Sequence, residues 1–242
     1  MLIDRDNRLP LYIQLKDLII EKIENGEWKR GEVLPTEMEL QKTLEVSRTT
    51  VRQALTELVF EGILERKQGK GTYVADEKYK PTRPGITGFT KDIEMEGHTT
   101  NSIVITEKMV TDANVARQLN INPERKILRL ERIRLVNGIP IGYHDTFLNI
   151  DLTPKINLKK YNFASESLYS ALESEGVIIG DSAETLEAAI PSQKHTEILK
   201  IDNQTPVLKI NRVARLENGI AYEFSKMVYR SDKYKYSINL KQ

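Results

Sequence analysis

The sequence predicts an α+β chain of two domains, and three observations carry that reading. Residues 1–75 hold three helical patterns and a short, glycine-turned hairpin. A charged stretch with two prolines and a glycine follows at 76–86 and reads as a linker. Residues 87–242 then repeat a unit in which a short capped helix precedes two β-rich runs joined by Asn-Gly. Two copies of such a unit predict a duplicated half-domain with a mainly antiparallel sheet. A length of 242 residues suits two domains.

From Leu9 to Asn25, apolar residues at Leu11, Leu15, Leu18, Ile19 and Ile23 follow helical spacing, and Gly26 is a stop. Thr36 follows Pro35 and precedes Glu37 and Glu39, the pattern of an N-cap with acidic residues in the first turn. This second helix ends near Leu44. Val46-Ser47 makes a turn, and Ser47 caps a third helix that runs to about Glu61 before Gly62. Ile63–Lys67 and Thr72–Ala75 read as strands joined by Gln68-Gly69-Lys70-Gly71. Three helices followed by a hairpin make a winged helix-turn-helix.

In the second domain Leu119–Leu128 resembles Leu199–Leu208, about 80 positions on. Asp112 and Ser192 hold the N-cap places of the two short helices. The spacing lengthens by one residue where Arg134-Leu-Val-Asn-Gly-Ile139 matches Arg215-Leu-Glu-Asn-Gly-Ile220. A residue added within a strand is what a β-bulge would produce.

Composition excludes several classes. There is no cysteine, hence no disulfide, thiolate metal site or cysteine nucleophile. No apolar run is long enough for a transmembrane helix, and the charged N-terminus lacks a signal-peptide core, so a cytoplasmic protein with no membrane partner is expected. The three histidines are scattered, and no metal or cofactor is expected. His144 with Glu223 is the one conceivable acid-base pair, too little to argue for an enzyme. The net charge of +1 does not advertise a nucleic-acid binder. A DNA case must rest on where charges sit. A non-specific nucleoid protein, the other binding class weighed, fits poorly with near-neutral charge and a large second domain.

The leading end of the third helix reads Ser47-Arg48-Thr49-Thr50-Val51-Arg52-Gln53. In a helix-turn-helix these residues enter the major groove. Arg48 and Arg52 share a face, while Val51, Leu55, Leu58 and Val59 form the opposite, buried one. Arginine can donate twice to guanine, and threonine can meet a thymine methyl or a phosphate. The wing tip at Gly69-Lys70 suits a phosphate or groove contact. A solvated arginine face accounts equally well for the spacing alone.

Residues 87–97 read as a short helix whose first free N–H groups, near Phe89 and Thr90, could receive an anion. On the strand 127–136, Leu128, Leu130, Arg132, Arg134 and Val136 share a face that changes from apolar to arginine. The pair is either an anion receptor or a solvated sheet rim. On 219–230, Tyr222, Phe224 and Val228 face one way; Glu223, Ser225 and Tyr229 face the other, toward solvent or a polar cavity. Ser167 and Tyr169 begin another helix, as cap and core or as hydroxyl ligands.

Leu34-Pro-Thr-Glu-Met-Glu-Leu40, Val46-Ser-Arg-Thr-Thr-Val-Arg-Gln-Ala-Leu55, Gly62-Ile-Leu-Glu-Arg66 and Gly69-Lys-Gly-Thr72 together resemble the GntR family of bacterial regulators. The resemblance implies DNA contacts at Arg48, Thr49, Arg52 and Gly69, and we take Thr36, Ser47, Thr50, Gln53 and Lys70 into the same DNA-binding set. Met38 stands where the family usually has arginine, so one contact is missing. Thr-x-Phe-Thr near residue 90, Arg-x-Arg-Leu-x-Asn-x-Ile-Pro at 132–140 and Tyr-Arg-x-Asp-x-Tyr at 229–234 resemble the UTRA effector domain of HutC-type members. That likeness implies a chorismate-lyase-like fold. It also implies a phosphate site around Phe89, Thr90, Arg132, Arg134, Ser167 and Tyr169, and a sugar site around Glu223 and Tyr229. His144 falls where the family has a glutamate in the sugar site. The implied protein is a homodimeric regulator of pseudo-palindromic operator DNA, a repressor of a sugar-utilisation operon released by a phosphorylated (amino) sugar. The alternatives are a regulator sensing another anion, such as a carboxylate, and an enzyme of chorismate-lyase type.

Overall fold

In the computed structural model the chain divides into two units, Met1–Glu77 and Lys78–Gln242. It describes every residue except 1, 2, 6, 77, 80, 81, 84–87, 154, 155 and 239–242.

The first unit holds α1 (Leu11–Glu24), α2 (Glu37–Leu44), α3 (Arg48–Phe60) and the hairpin β1 (Leu64–Lys67) and β2 (Gly71–Val74). Its core gathers Leu15, Leu18 and Ile19 of α1, Leu40 of α2, Val51, Leu55 and Leu58 of α3, and Leu64 and Val74 of the hairpin. Both expected caps are made. The Glu39 N–H donates to Thr36 Oγ1 at 3.3 Å while the Thr36 N–H donates to Glu39 Oε2 at 2.8 Å, a reciprocal box. The Thr50 N–H donates to Ser47 Oγ at 3.1 Å. Each cap is worth about 1 kcal/mol. Lys16 Nζ ties α1 to α3 through Glu57 at 2.9 Å and Glu61 at 2.5 Å.

The second unit runs β3 (Thr82–Arg83), α4 (Phe89–Glu94), β4 (Thr100–Val110), α5 (Ala113–Leu119), β5 (Ile127–Val136), β6 (Ile139–Leu148), α6 (Leu168–Ser174), β7 (Ile179–Ala189), α7 (Gln193–Leu199), β8 (Val207–Leu216), β9 (Ala221–Arg230) and β10 (Ser237–Ile238). Six strands form one antiparallel sheet in the order β4-β5-β6-β9-β8-β7. The order is a palindrome of the two copies. Each repeat is strand, helix, hairpin, and the copies meet where β6 pairs with β9. A pseudo-twofold axis therefore passes through the centre of the sheet.

Three expectations are corrected. The extra residue of the second copy does not create a bulge peculiar to it: β5–β6 and β8–β9 both shift register, between Arg134 and Leu135 and between Ala214 and Arg215. The added residue sits in the turn. Asn137 and Gly138 both have positive φ, a two-residue turn, whereas Glu217-Asn218-Gly219 is a three-residue turn closed by a left-handed glycine. The structural counterpart of Arg134 is thus Ala214, not Arg215. The shift in β9 passes over Tyr222 and turns its ring to the face of Glu223, so Tyr222 packs with Leu128, Leu130 and Leu148 while Phe224 packs with Val115 and Phe147 on the other face. Part of the expected linker belongs to the second unit. Tyr79 bridges Tyr234, and β3 pairs in parallel with β10. Composition marked the stretch as irregular but could not show which backbone it pairs with. Thr87, the expected helix start, lies outside the described residues.

On the face away from Arg132 lies a charged cluster. Arg129 Nε donates to Asp145 Oδ1 at 2.7 Å, and Lys194 Nζ donates to Glu131 Oε1 at 2.8 Å. Tyr143 also donates its hydroxyl to Glu131, which is buried. Lys194 and Tyr143 outweigh the burial that would raise the Glu131 carboxyl, and hold it down at about 2. Among the described residues no helix is long and apolar enough to cross a membrane.

Candidate functional site

The helix cap and the wing present one polar surface on the first unit. Arg48, Thr49, Arg52 and Gln53 are exposed along the first turns of α3, because Val51, Ala54 and Leu55 take the buried positions between them. Thr50 is half-buried, with Oγ1 at 2.8 Å from Ser47 Oγ. Thr36 is exposed at the head of α2, and Gly69 and Lys70 are exposed at the wing tip, where Gly69 has φ +71°. Glu37 links the parts: its carboxylate lies 3.9 Å from Arg48 Nε and 3.5 Å from Arg66 Nη2. Such exposed pairs add little stability. They leave both arginines free to exchange Glu37 for a phosphate. Met38 is 75% exposed on α2.

In the second unit the four central strands floor a cavity, and the starts of α4 and α6 wall it. Phe89 and Thr90 come from α4, Ser167 and Tyr169 from α6, Arg132 and Arg134 from β5, His144 from β6, and Glu223 and Tyr229 from β9. The structure thus brings together every residue expected around an effector. Local geometry explains the placement. Ser167 caps α6 and accepts from the Ser170 N–H at 3.3 Å. Gly88 precedes α4 where a Cβ would sit 3.2 Å from Tyr169 Cβ, so glycine lets the two walls close. Gly142 lies under Tyr229, whose ring atoms would meet a Cβ at 2.8 Å.

The floor is charged and incompletely paired. Arg132 and Arg134 are each 3% exposed, which removes the reading as a solvated rim. Arg134 donates from Nη2 to Thr90 Oγ1 at 2.6 Å and stacks on Phe89, its guanidinium carbon 4.7 Å from the ring centre. Among the described residues its Nε has no partner, and neither do Nε and Nη1 of Arg132. Burial lowers the Arg132 guanidinium well below its usual value, and the charge of Arg134 lowers it further. Burial brings Arg134 down to about 10. Both remain cations at neutral pH, held in an unfavourable place. Beside them Glu223 receives the Ser225 hydroxyl on Oε1 at 2.5 Å and faces the Tyr169 hydroxyl, while among the described residues its Oε2 accepts no well-formed hydrogen bond. His144 Nε2 lies 2.8 Å from the Tyr229 hydroxyl. Unpaired buried cations beside an unpaired acceptor suit a ligand that carries an anion and hydroxyl groups.

Sequence reasoning missed Gly88, Thr146, Leu168, Arg212 and Met227, which also line the cavity, while Ser225 lies on the polar-cavity side that strand parity had left open against solvent. Arg212 was the findable one, since it is the repeat counterpart of Arg132. Its state is opposite. Opposite Arg212, β7 carries Glu184, which pairs with it at 2.5 Å, whereas opposite Arg132, β4 carries Val104. Burial works against the Arg212 charge, but Tyr169, Glu184 and Glu223 outweigh it and hold the guanidinium firmly protonated. Burial, then Glu223, raises the Tyr169 hydroxyl.

Two family patterns match this chain: bacterial regulatory proteins of the gntR family over residues 11–74, and the UTRA domain over residues 95–235. The chain belongs to the gntR family. It is similar to the HTH-type transcriptional repressor NagR of Bacillus subtilis (strain 168), 33% identical over 236 residues covering 97% of this chain and 96% of NagR. It is also similar to the mannosyl-D-glycerate transport/metabolism system repressor MngR of Escherichia coli (strain K12), 32% identical with 95% of each chain covered. Among solved structures it resembles PhnF from Mycobacterium smegmatis, with a TM-score of 0.65 at 27% identity, over 95% of this chain and 98% of that one. This gntR-family protein is therefore a ligand-responsive, DNA-binding transcription regulator and not an enzyme. The first unit supplies the DNA-binding module and the second the effector module.

Proposed function

We propose that this regulator is a cytoplasmic homodimeric repressor of a sugar-utilisation operon, released from a pseudo-palindromic operator by a phosphorylated sugar, an amino-sugar phosphate in particular. The observation that carries the reading is the pair of buried arginines with unpaired N–H groups on the cavity floor. In this reading Arg132, Arg134, Thr90, Ser167, Tyr169 and the N–H groups at Phe89 take the phosphate, while Glu223, His144 and Tyr229 take the sugar. Relatives named for mannosyl-D-glycerate and fructoselysine metabolism support a sugar-derived effector. DNA is read by Arg48, Thr49, Thr50, Arg52 and Gln53, positioned by Thr36 and Ser47, with Gly69 and Lys70 on the backbone. Dimerisation is assigned to the second unit, whose edge strand β4 exposes Ile103, Ile105 and Met109.

The response has a physical route. The cavity measures about 30 Å3, room for a water or two, so a sugar phosphate enters only when the walls at α4 and α6 move. The Tyr229 ring stacks on Tyr234 at 4.0 Å, and the backbone around Tyr234 brackets Tyr79: the Tyr79 N–H donates to Lys233 O and the Lys235 N–H donates to Tyr79 O, both at 2.8 Å. A ligand that displaces Tyr229 thus pulls on residue 79, at the start of the second unit. Couplings of this type are about 1–3 kcal/mol, a 5- to 150-fold loss of operator affinity.

A thermal-shift panel of hexose and amino-hexose phosphates, with sugar acids and inorganic phosphate as comparators, identifies the effector. Operator titrations then compare the parent with Arg134→Ala, with and without that effector. Arg134→Ala is expected to bind operator as the parent does and to lose the response. A variant that still responds at the parent's ligand concentration defeats the phosphate assignment. Sedimentation of the full chain is expected to show a dimer, and a monomer at tens of micromolar defeats that part.

A further inference from the structure

The pseudo-twofold axis allows each half of the sheet to be checked against the other. The register pairs Leu148 with Glu223 and Tyr229 with Gly142, so Asn149, just after β6, is the counterpart of Arg230, which ends β9. In the second half Arg230 plugs a gap. Its Nη1 donates to the carbonyls of Leu199 at 3.2 Å and Pro140 at 3.4 Å. Its Nε and Nη2 hold Asp232 at 2.8 and 2.6 Å. Every acceptor in that arrangement has a counterpart across the pseudo-twofold axis. Leu119 ends α5 as Leu199 ends α7, Ala221 follows the register shift as Pro140 does, and Asp151 lies two residues past Asn149 as Asp232 does past Arg230. The guanidinium is missing.

A cavity of about 430 Å3 lies there, lined by Leu119, Arg125, Asn149, Arg215 and Ala221 among others, and it shares no lining residue with the effector cavity. Asn149 is 1% exposed, and among the described residues both polar atoms of its side chain lack a partner. An unsatisfied buried amide is costly, and it asks for an occupant. The two arginines at the cavity are already engaged: Arg125 with Asp151 at 3.2 Å and Arg215 with Asp181 at 2.9 Å. They do not call for an anion.

We propose that this cavity is a second small-molecule site, for a compound with a guanidinium or primary ammonium head. The head takes the place that Arg230 fills in the twin half, donating to the carbonyls of Leu119 and Ala221 and to Asn149 Oδ1. The remaining volume holds the body of the ligand. The regulator then reads a cationic metabolite independently of its anionic effector.

The test titrates methylguanidinium and agmatine into the full chain, with acetate and inorganic phosphate as anionic comparators, followed by calorimetry and thermal melting. Saturable binding of the cationic probes and an upward melting shift are expected. Asn149→Arg should build the twin's plug in the empty half, raise the melting temperature without ligand, and weaken probe binding roughly tenfold or more. Asn149→Leu, which removes the polar atoms with little change in volume, should also weaken it. Arg134→Ala should leave probe binding unchanged, and Asn149→Arg should leave the phosphosugar response unchanged, which separates this site from the effector reading. The proposal is overturned if neither cationic probe saturates, if the anions bind there better, or if binding survives in both Asn149 variants. A more stable Asn149→Leu in a protein that binds no probe shows a hydrated amide and also overturns it.

Discussion

Replacing Arg132 by methionine should make the second unit more stable, and the same substitution at Arg212 should make it less stable. The two arginines occupy equivalent places on β5 and β8, and both lie almost wholly out of solvent. Arg132 keeps Nε and Nη1 without partners among the described residues, and each such buried group costs about 1–3 kcal/mol. Methionine has similar length, keeps contact with the Phe163 ring that lies 5.8 Å from the guanidinium, and removes the charge. Exchanging a poorly compensated buried ion for an apolar side chain gains about 1–4 kcal/mol, or on the order of 5 °C in a domain of this size. Arg212 is different because it neutralises Glu184 at 2.5 Å. Its loss leaves the half-buried Glu184 carboxylate with the Tyr236 hydroxyl but without its cation, and should cost up to about 3 kcal/mol. Calorimetry or circular dichroism of the full chain reads the transition of the second unit in both variants. Arg132→Met should also lose its response to phosphosugars. If Arg132→Met melts below the parent, the guanidinium is compensated within the protein, and its role as a waiting anion receptor is refuted.

Val104→Glu places a carboxylate opposite Arg132, as Glu184 stands opposite Arg212, and should abolish effector binding while operator affinity stays measurable; retained effector affinity by calorimetry would contradict the pairing. Met38→Arg adds an exposed cation at the head of α2 and should tighten binding to all DNA sequences, steepening the salt dependence by about one unit of slope. Anisotropy titrations over a range of salt check it, and an unchanged slope removes α2 from the interface. Glu131 is held at about 2 against an ordinary 4.5, chiefly by Lys194 and Tyr143 working against burial, so its contribution of up to about 3 kcal/mol is present above pH 4.5 and is lost as pH falls toward 2. Urea unfolding of Glu131→Gln and parent should therefore differ most at neutral pH and converge in acid.

Features set by local chemistry were legible. Thr36 and Ser47 announced their helices because a side-chain oxygen ahead of free N–H groups acts within a few residues. Asn137-Gly138 announced its hairpin because both residues tolerate positive φ. The alternation on β5 put Arg132 and Arg134 on one face, and the strand delivered them to the cavity. What failed depended on distant backbone. The face of Tyr222 follows from a register shift against β8, and parity cannot reveal where a strand skips a residue. The pairing of β3 with β10 joins segments far apart in sequence, with no period in either. Arg212 was visible as a repeat partner, but its place in the cavity requires the pseudo-twofold axis, which only strand order supplies. Burial, too, was undecidable for the arginine pair, because alternation names a face without saying what covers it.

The duplication explains why this fold can hold sites that a stability argument would disfavour. A sheet with two equivalent halves has two places for every side chain, and one copy can be closed while the other stays open. Arg212 carries its own counterion in Glu184; Arg132 faces Val104 and makes no ion pair among the described residues. Arg230 fills its gap and reaches two carbonyls; Asn149 falls short and leaves a cavity. In both comparisons the closed copy shows the chemistry that the open one lacks: an anion at Arg132 and a cation beside Asn149. The cost of each open site is borne by the closed half and the apolar clusters, which keep the sheet folded while a buried charge or amide waits for its partner. A ligand that completes either site gains the free energy the protein has left unrealised there, and it gains it only in the conformation that closes around it. That difference in affinity between conformations is what a regulator needs to move an equilibrium at its DNA-binding end.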